Sequence, residues 1–196
     1  VVDFAEVLDG HRASAAVLGP GAGLSDRLKA KVRSACGLNI PIVLDADALS
    51  VFEHDPAELF TALHGQCVLT PHGGEFSRLF PDLTETAHAG NKIERSRLAA
   101  RRCGAVIVYK GADTVIAAPD GDVRVNVHAS PRLATAGTGD VLAGLTGAFL
   151  AQGETAFDAA SSAVYIHGEA GRRLGAGGTV ETVLNCLPDA LEAVIG

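Results

Sequence analysis

With 196 residues, of which 47% are hydrophobic, the chain can bury roughly 70% of its unfolded surface around one core and is too short for two comfortable ones. A net charge of −7 excludes a broad nucleic-acid surface, which needs clustered Lys and Arg, so any anionic ligand must be held locally. No apolar run approaches the roughly 18 residues of a membrane span, and the first residues carry no signal-peptide pattern. Aromatics at 5%, 23 glycines and no Trp fit small-residue packing of helices on a sheet better than an aromatic-rich β-sandwich. The four cysteines, Cys36, Cys67, Cys103 and Cys186, lie far apart with no CxxC, which suggests reduced cytoplasmic thiols and neither a zinc site nor a disulfide framework. There is no Met, so Val1 is not an initiator, and the chain reads as a fragment or processed piece of a longer polypeptide.

Residues 1–13 suggest no definite element. Ala15–Gly19 is a short apolar run ending in Pro20-Gly21-Ala22-Gly23, the pattern of a buried strand opening into a glycine turn, with Ser25 as cap of the helix that follows. Pro41–Leu44 is a second strand with Asp45 and Asp47 at its carboxyl end, where they either orient a metal or water or cap the next turn. Cys67–Thr70 is a third strand, and it leads into Pro71-His72-Gly73-Gly74-Glu75, a turning backbone that exposes His72 to a cleft. Residues 91–103 form an amphipathic helix whose basic face is most simply solvated. Ala105–Tyr109 is a fourth parallel strand that stops at Lys110. The Asp120-Gly121 pair between Val115–Ala118 and Val123–Val127 signals a hairpin, which makes the sheet mixed. A helix from about Thr155 to Leu174 starts with a capping-box-like Thr155…Asp158 and contains His167, read as a satisfied core or surface histidine. A last short helix is expected from Pro188 onward.

Ala134–Asp140 is the most informative stretch, because a run of small residues and glycines, then an acid, then an apolar helical pattern describes a loop feeding a helix N-terminus. Backbone amides there can receive phosphate oxygens without a basic side chain. Asp140 either caps the helix or is a base for a hydroxyl undergoing phosphorylation. Neither a Walker-type loop nor a G-x-G-x-x-G after the first strand is present.

Five stretches in order, Gly19–Gly23, Asp45–Leu49, Thr70–Glu75, Lys110–Thr114 and Gly137–Gly144, together resemble the ADP-dependent NAD(P)H-hydrate dehydratases of the ribokinase-like superfamily, from about residue 15 to 175. The resemblance implies an α/β, three-layer sandwich over residues 1–196 as a single domain, with a mostly parallel central sheet, an antiparallel edge hairpin and helices on both faces. It implies repair of hydrated NADH or NADPH, with ADP or ATP as phosphoryl donor, Mg²⁺ across the phosphates on ligands not assigned, and a cytoplasmic homo-oligomer, suspected to be a tetramer. Asp140 takes the catalytic role. Lys110, Gly111, Ala112, Asp113, Thr114, Gly137, Thr138 and Gly139 take the nucleotide, and Gly21, Gly23, His72 and Asp140 take the hydrated cofactor. Ala22, Gly73 and Ala136 stand where the family usually has Leu, Pro and Gly, and a positive φ at Ala136 would cost about 1 kcal/mol. Family members usually carry further N-terminal strand–helix units, which this chain is expected to lack. Two other readings compete: an ATP-dependent small-alcohol or vitamin-precursor kinase of the same superfamily, and a nucleotide-binding module without turnover.

Overall fold

The computed structural model describes residues 7–8, 12–38, 40–85, 90–128, 130–175 and 178–195, so most of the segment 1–13 lies outside the described residues. Its frame is a six-stranded sheet in which spatial order follows chain order: β1 (Ala16–Leu18), β2 (Ile42–Leu44), β3 (Cys67–Leu69), β4 (Val106–Tyr109), β5 (Thr114–Ala117) and β6 (Val123–Asn126). The first four strands are parallel and the last two antiparallel, with Ile116 opposite Arg124 across the expected hairpin.

Short β-branched runs buried on both faces are what a covered parallel sheet requires. Alternation sends Leu18, Ile42, Leu44, Leu69 and Ile107 to one face and Val43, Val68, Val106 and Val108 to the other. The first face is covered by the crossover helices α1 (Asp26–Cys36), α2 (Asp47–Ser50), α3 (Pro56–Phe60), α4 (Gly73–Leu79), α5 (Asp82–Glu85) and α6 (Lys92–Cys103). Crossovers of one hand between successively neighbouring strands must all lie on the same side. The second face is covered by α7 (Thr138–Ala151) and α8 (Ala156–Arg173), on which α9 (Val180–Ile195) packs through Val183 and Ala190.

Local signals account for most helix starts. Ser25, Asp55, Asn91 and Thr155 each accept a backbone N–H of the first turn, and Pro56 follows its cap where a missing N–H is harmless. Two expectations need correction. The last helix begins eight residues before Pro188 and runs through it; the apolar stripe packed on α7 and α8 outweighs the one backbone bond that Pro removes. The basic face of α6 is not simply solvated: Arg102 pairs with both oxygens of Asp82 at 2.7 Å, and Arg97 donates to the Gly121 carbonyl in the hairpin turn at 3.0 Å.

After β6 the chain changes face, and α7 returns with its N-terminus at the carboxyl edge of the parallel strands. Gly19, Asp45, Thr70 and Lys110 already lie on that edge, one after each strand.

Candidate active site

An ion pair occupies the centre of this edge. Asp45, at the end of β2, is 1% exposed, and its Oδ1 accepts from Lys110 Nζ, at the end of β4, at 2.7 Å. Gly139 in the first turn of α7 closes over them: a Cβ there would lie 3.5 Å from Lys110 Nζ and 3.7 Å from Asp45 Oδ2. Residues 45, 110 and 139 thus meet from three elements, the ends of β2 and β4 and the first turn of α7. Among the described residues the Asp45 side chain therefore caps no helix. The N-cap of α2 is Ala46, held at φ 50° with no side-chain cap bond, a left-handed conformation unusual for alanine.

The neighbouring loops are tied to this centre. Gly19 has φ 124° and its backbone presses on the Asp45 carbonyl and Ala48, so closely that any side chain would collide. Asp47, the other acid of the pair, accepts from the Gly23 amide at 2.8 Å and so fastens the glycine turn to α2. Gly21 and Gly23 have φ of 64° and 75° with open space where a Cβ would stand, leaving that turn's outer surface free for a ligand. On the other flank the Lys110 amide donates to the Pro71 carbonyl at 2.9 Å, which joins the His72 turn to the ion pair.

His72 is the N-cap of α4. Its Nδ1 accepts from the amides of Gly74 at 2.9 Å and Glu75 at 3.3 Å, while Glu75 Oε2 accepts from the His72 amide at 2.8 Å, a capping box with imidazole in place of a hydroxyl. With Nδ1 an acceptor, the bonding pattern assigns the ring proton to Nε2, which lies 3.4 Å from Glu75 Oε1 on a side chain that is 56% exposed.

At the head of α7 the N-cap is Gly137, at φ 88°, and Asp140 is the third helical residue. The capping alternative for Asp140 is therefore not what the structure shows: its side chain is exposed and takes no hydrogen bond among the described residues. Thr138 turns inward, its amide on the Thr135 carbonyl at 3.3 Å and its hydroxyl between the Leu133 and Thr135 carbonyls at 2.6 and 2.8 Å. Among the described residues, the amides of Thr135, Ala136, Gly137 and Gly139 take no protein acceptor, and those of Gly137 and Gly139 stand at the helix head, where an anion would bind. Ala136 does not adopt a positive φ, so the replacement of the usual glycine carries no backbone strain.

The Lys110–Thr114 turn is partly committed. The Thr114 side chain is buried and its hydroxyl donates to the Gly111 carbonyl at 3.2 Å, and Asp113 is ion-paired to Lys92 at 3.1 Å, which holds its carboxyl below the usual range. Gly111, Ala112 and Asp113 are exposed. Behind Thr138 sits His167, which is 8% exposed. Burial lowers its pKa to about 4, with Lys110 adding to the shift and the Thr138 backbone opposing it. Among the described residues its Nε2 has no partner, so it is not the satisfied histidine expected from the sequence.

A mostly parallel sheet with a glycine-capped helix N-terminus brought over its strand ends, facing an acid and a lysine, defines a ribokinase-like architecture. A ribokinase-like superfamily protein from Enterococcus faecalis matches 98% of this chain and 69% of its own, with a TM-score of 0.77 at 25% identity. More narrowly, the chain belongs to the NAD(P)H-hydrate dehydratase family, whose sequence profile matches residues 3–192. It is 44% identical to the bifunctional NAD(P)H-hydrate repair enzyme of Gloeobacter violaceus over 88% of this chain and 33% of that enzyme. It is 34% identical to the ADP-dependent (S)-NAD(P)H-hydrate dehydratase of Xanthomonas campestris over 97% of this chain and 67% of that one. The ADP/ATP-dependent NAD(P)H-hydrate dehydratase of Bacillus subtilis, co-crystallized with ATP/Mg²⁺, superposes with a TM-score of 0.74 at 28% identity, covering 92% of this chain and 64% of its own. The chain thus spans about a third of the length of the bifunctional relative.

Asp45 is the site residue to which sequence reasoning gave no definite role. Its partner is 65 positions away, so no local spacing marks the pair. The remaining signal is an acid at the carboxyl end of a parallel strand.

Proposed function

We propose that this chain catalyses the ADP-dependent dehydration of hydrated NADH and NADPH. The observation that carries the reading is the exposed carboxylate of Asp140, which takes no hydrogen bond among the described residues and follows directly on Gly139, whose backbone faces the Lys110–Asp45 pair. Asp140 takes the proton of the 6-hydroxyl on the hydrated nicotinamide ring. That oxygen forms a bond to the β-phosphorus of ADP as the bond to AMP breaks. Phosphate then leaves the ring carbon with its electron pair, a proton leaves the adjacent ring carbon, and the ring double bond is restored. The Gly137 and Gly139 amides and the Lys110 ammonium receive the charge on the moving phosphoryl group. Gly111, Ala112 and Asp113 line the nucleotide's side, Thr114 and Thr138 hold their turns, and the Gly21–Gly23 turn and His72 Nε2–H face the hydrated ring.

No group of three or more His, Cys, Asp or Glu side chains gathers among the described residues. Mg²⁺ entering on the nucleotide's phosphates would supply charge neutralisation there. Three of the four cysteines are buried and all four are free, which supports a reducing, cytoplasmic setting. Val125 and Val127, exposed on the edge strand β6 and the residue just beyond it, support a homo-oligomer, which we take to be a tetramer.

The test is to incubate the protein with hydrated NADH, Mg²⁺ and either ADP or ATP and follow the return of reduced-nicotinamide absorbance. Recovery with ADP is the expected result. A stable phosphorylated product from a small alcohol and ATP would instead support the kinase reading, and nucleotide binding without any product would support the inert module. Asp140→Asn should lower kcat by about 10²-fold or more, the scale of a lost general base, with ADP affinity nearly unchanged; an active variant would refute the assignment of the base.

A further inference from the structure

A lysine in the first turn of a helix is poorly placed, because its charge opposes the positive end of the macrodipole. Lys92 nevertheless opens α6 directly after its Asn91 cap. Its ammonium lies across the fold, inside the Lys110–Thr114 turn. Nζ donates to the Lys110 carbonyl at 3.4 Å, to the Asp113 carbonyl, and to Asp113 Oδ1 at 3.1 Å. It sits 4.7 Å above the ring of Tyr109, which is itself stacked on Phe76 at 4.1 Å. The turn wraps so tightly round it that a Cβ at Gly111 would come within 2.5 Å of Nζ.

This geometry fixes peptide orientation. In a planar trans peptide the C=O and the following N–H point opposite ways. A Lys110 carbonyl drawn onto Lys92 therefore turns the Gly111 amide away from Lys92. The Gly111 carbonyl, engaged by the Thr114 hydroxyl, does the same for the Ala112 amide. Without a central cation, the carbonyls of residues 110 and 113 would lack the donor on which they converge and the turn would sample other conformations.

We propose that Lys92 is a positioning residue for the adenine nucleotide: it holds the 110–114 turn in the one conformation that presents its amides and Lys110 to the donor. The inference rests on the reading of this turn as the nucleotide site. It predicts an effect on nucleotide affinity rather than on the chemical step, because a turn that must be ordered on binding adds its ordering free energy to the dissociation constant.

The experiment is equilibrium dialysis of the full chain with ADP and Mg²⁺, which needs no turnover, alongside steady-state kinetics. Lys92→Met should raise the ADP Kd and KM about tenfold while kcat and the KM for hydrated NADH stay within about threefold. Lys92→Gln, which keeps N–H donors for the two carbonyls and lacks the charge, should fall between wild type and Met and decides the matter if the Met variant does not fold. ADP binding by the variants within twofold of wild type would overturn the proposal, as would loss of kcat at unchanged ADP affinity. Failure of the wild type itself to bind ADP would overturn the nucleotide reading and the role of Lys92 with it.

Discussion

Replacing Asp45 by Asn keeps the shape of the side chain and removes the charge that neutralises Lys110. At the observed 2.7 Å separation, an effective dielectric of about 20 gives a gross attraction of about 6 kcal/mol. Withdrawing both groups from water offsets much of it, and breaking such a pair from one side typically costs about 3–5 kcal/mol. The Asp45 side chain is 2% exposed but that of Lys110 is 20% exposed, so the ammonium can regain part of its hydration, and the lower end, about 3 kcal/mol, is the expected loss. For a chain of this size that corresponds to a melting temperature lower by about 6–12 °C. Urea unfolding of wild type, Asp45→Asn, Lys110→Met and the double variant forms the cycle that isolates the pair. The double variant should be less destabilised than the two single changes added together, because it leaves no orphaned buried charge. Additive losses of under about 1 kcal/mol each would refute the argument that a buried ion pair holds the β2 and β4 ends together.

Much of this arrangement is legible in the sequence because it is local. The strands announce themselves as short β-branched runs, the hairpin by Asp120-Gly121, and the α1 and α8 starts by Ser25 and Thr155, and each depends on residues within a few positions of one another. Gly137 as the N-cap of α7 is equally local, since only glycine adopts φ 88° there without strain. What is not legible is decided by long-range packing. Nothing near Pro188 shows that α9 starts eight residues earlier, because its stripe is defined by what it packs against. Nothing near Asp45 or Asp47 distinguishes a cap from an ion pair or a loop tie, since Lys110 and Gly23 reach them only after the sheet has formed. His167 reads as an ordinary helical histidine until the close approach of α8 buries it beneath Thr138; there Gly171 leaves room for Leu133, whose side-chain carbon lies 2.5 Å from where a Cβ would be.

The remaining predictions follow from burial and titration. In the native protein a disulfide reagent such as DTNB should modify Cys186 rapidly and Cys36, Cys67 and Cys103 only on unfolding, since those three are buried and Cys186 is partly exposed; more than one fast equivalent would contradict the packing of the first core. Replacing His72 by Ala should lower stability by about 1 kcal/mol through loss of the α4 cap, read by urea unfolding; an unchanged midpoint would show that Gly74 and Glu75 do not depend on the imidazole. His167 should make stability pH-dependent in a definite direction. Its folded pKa is lowered from 6.5 to about 4, so between those values the unfolded chain binds the proton and the folded one does not. Stability from this residue is therefore complete above pH 6.5 and declines as pH falls toward 4, by about 3 kcal/mol in all. Carboxylates titrate in part of the same range, so the measurement is the difference in unfolding free energy between wild type and His167→Gln across that interval. The difference should move against wild type as pH falls; one that stays constant would mean that the imidazole titrates normally, and that α8 does not seal it behind the glycine loop.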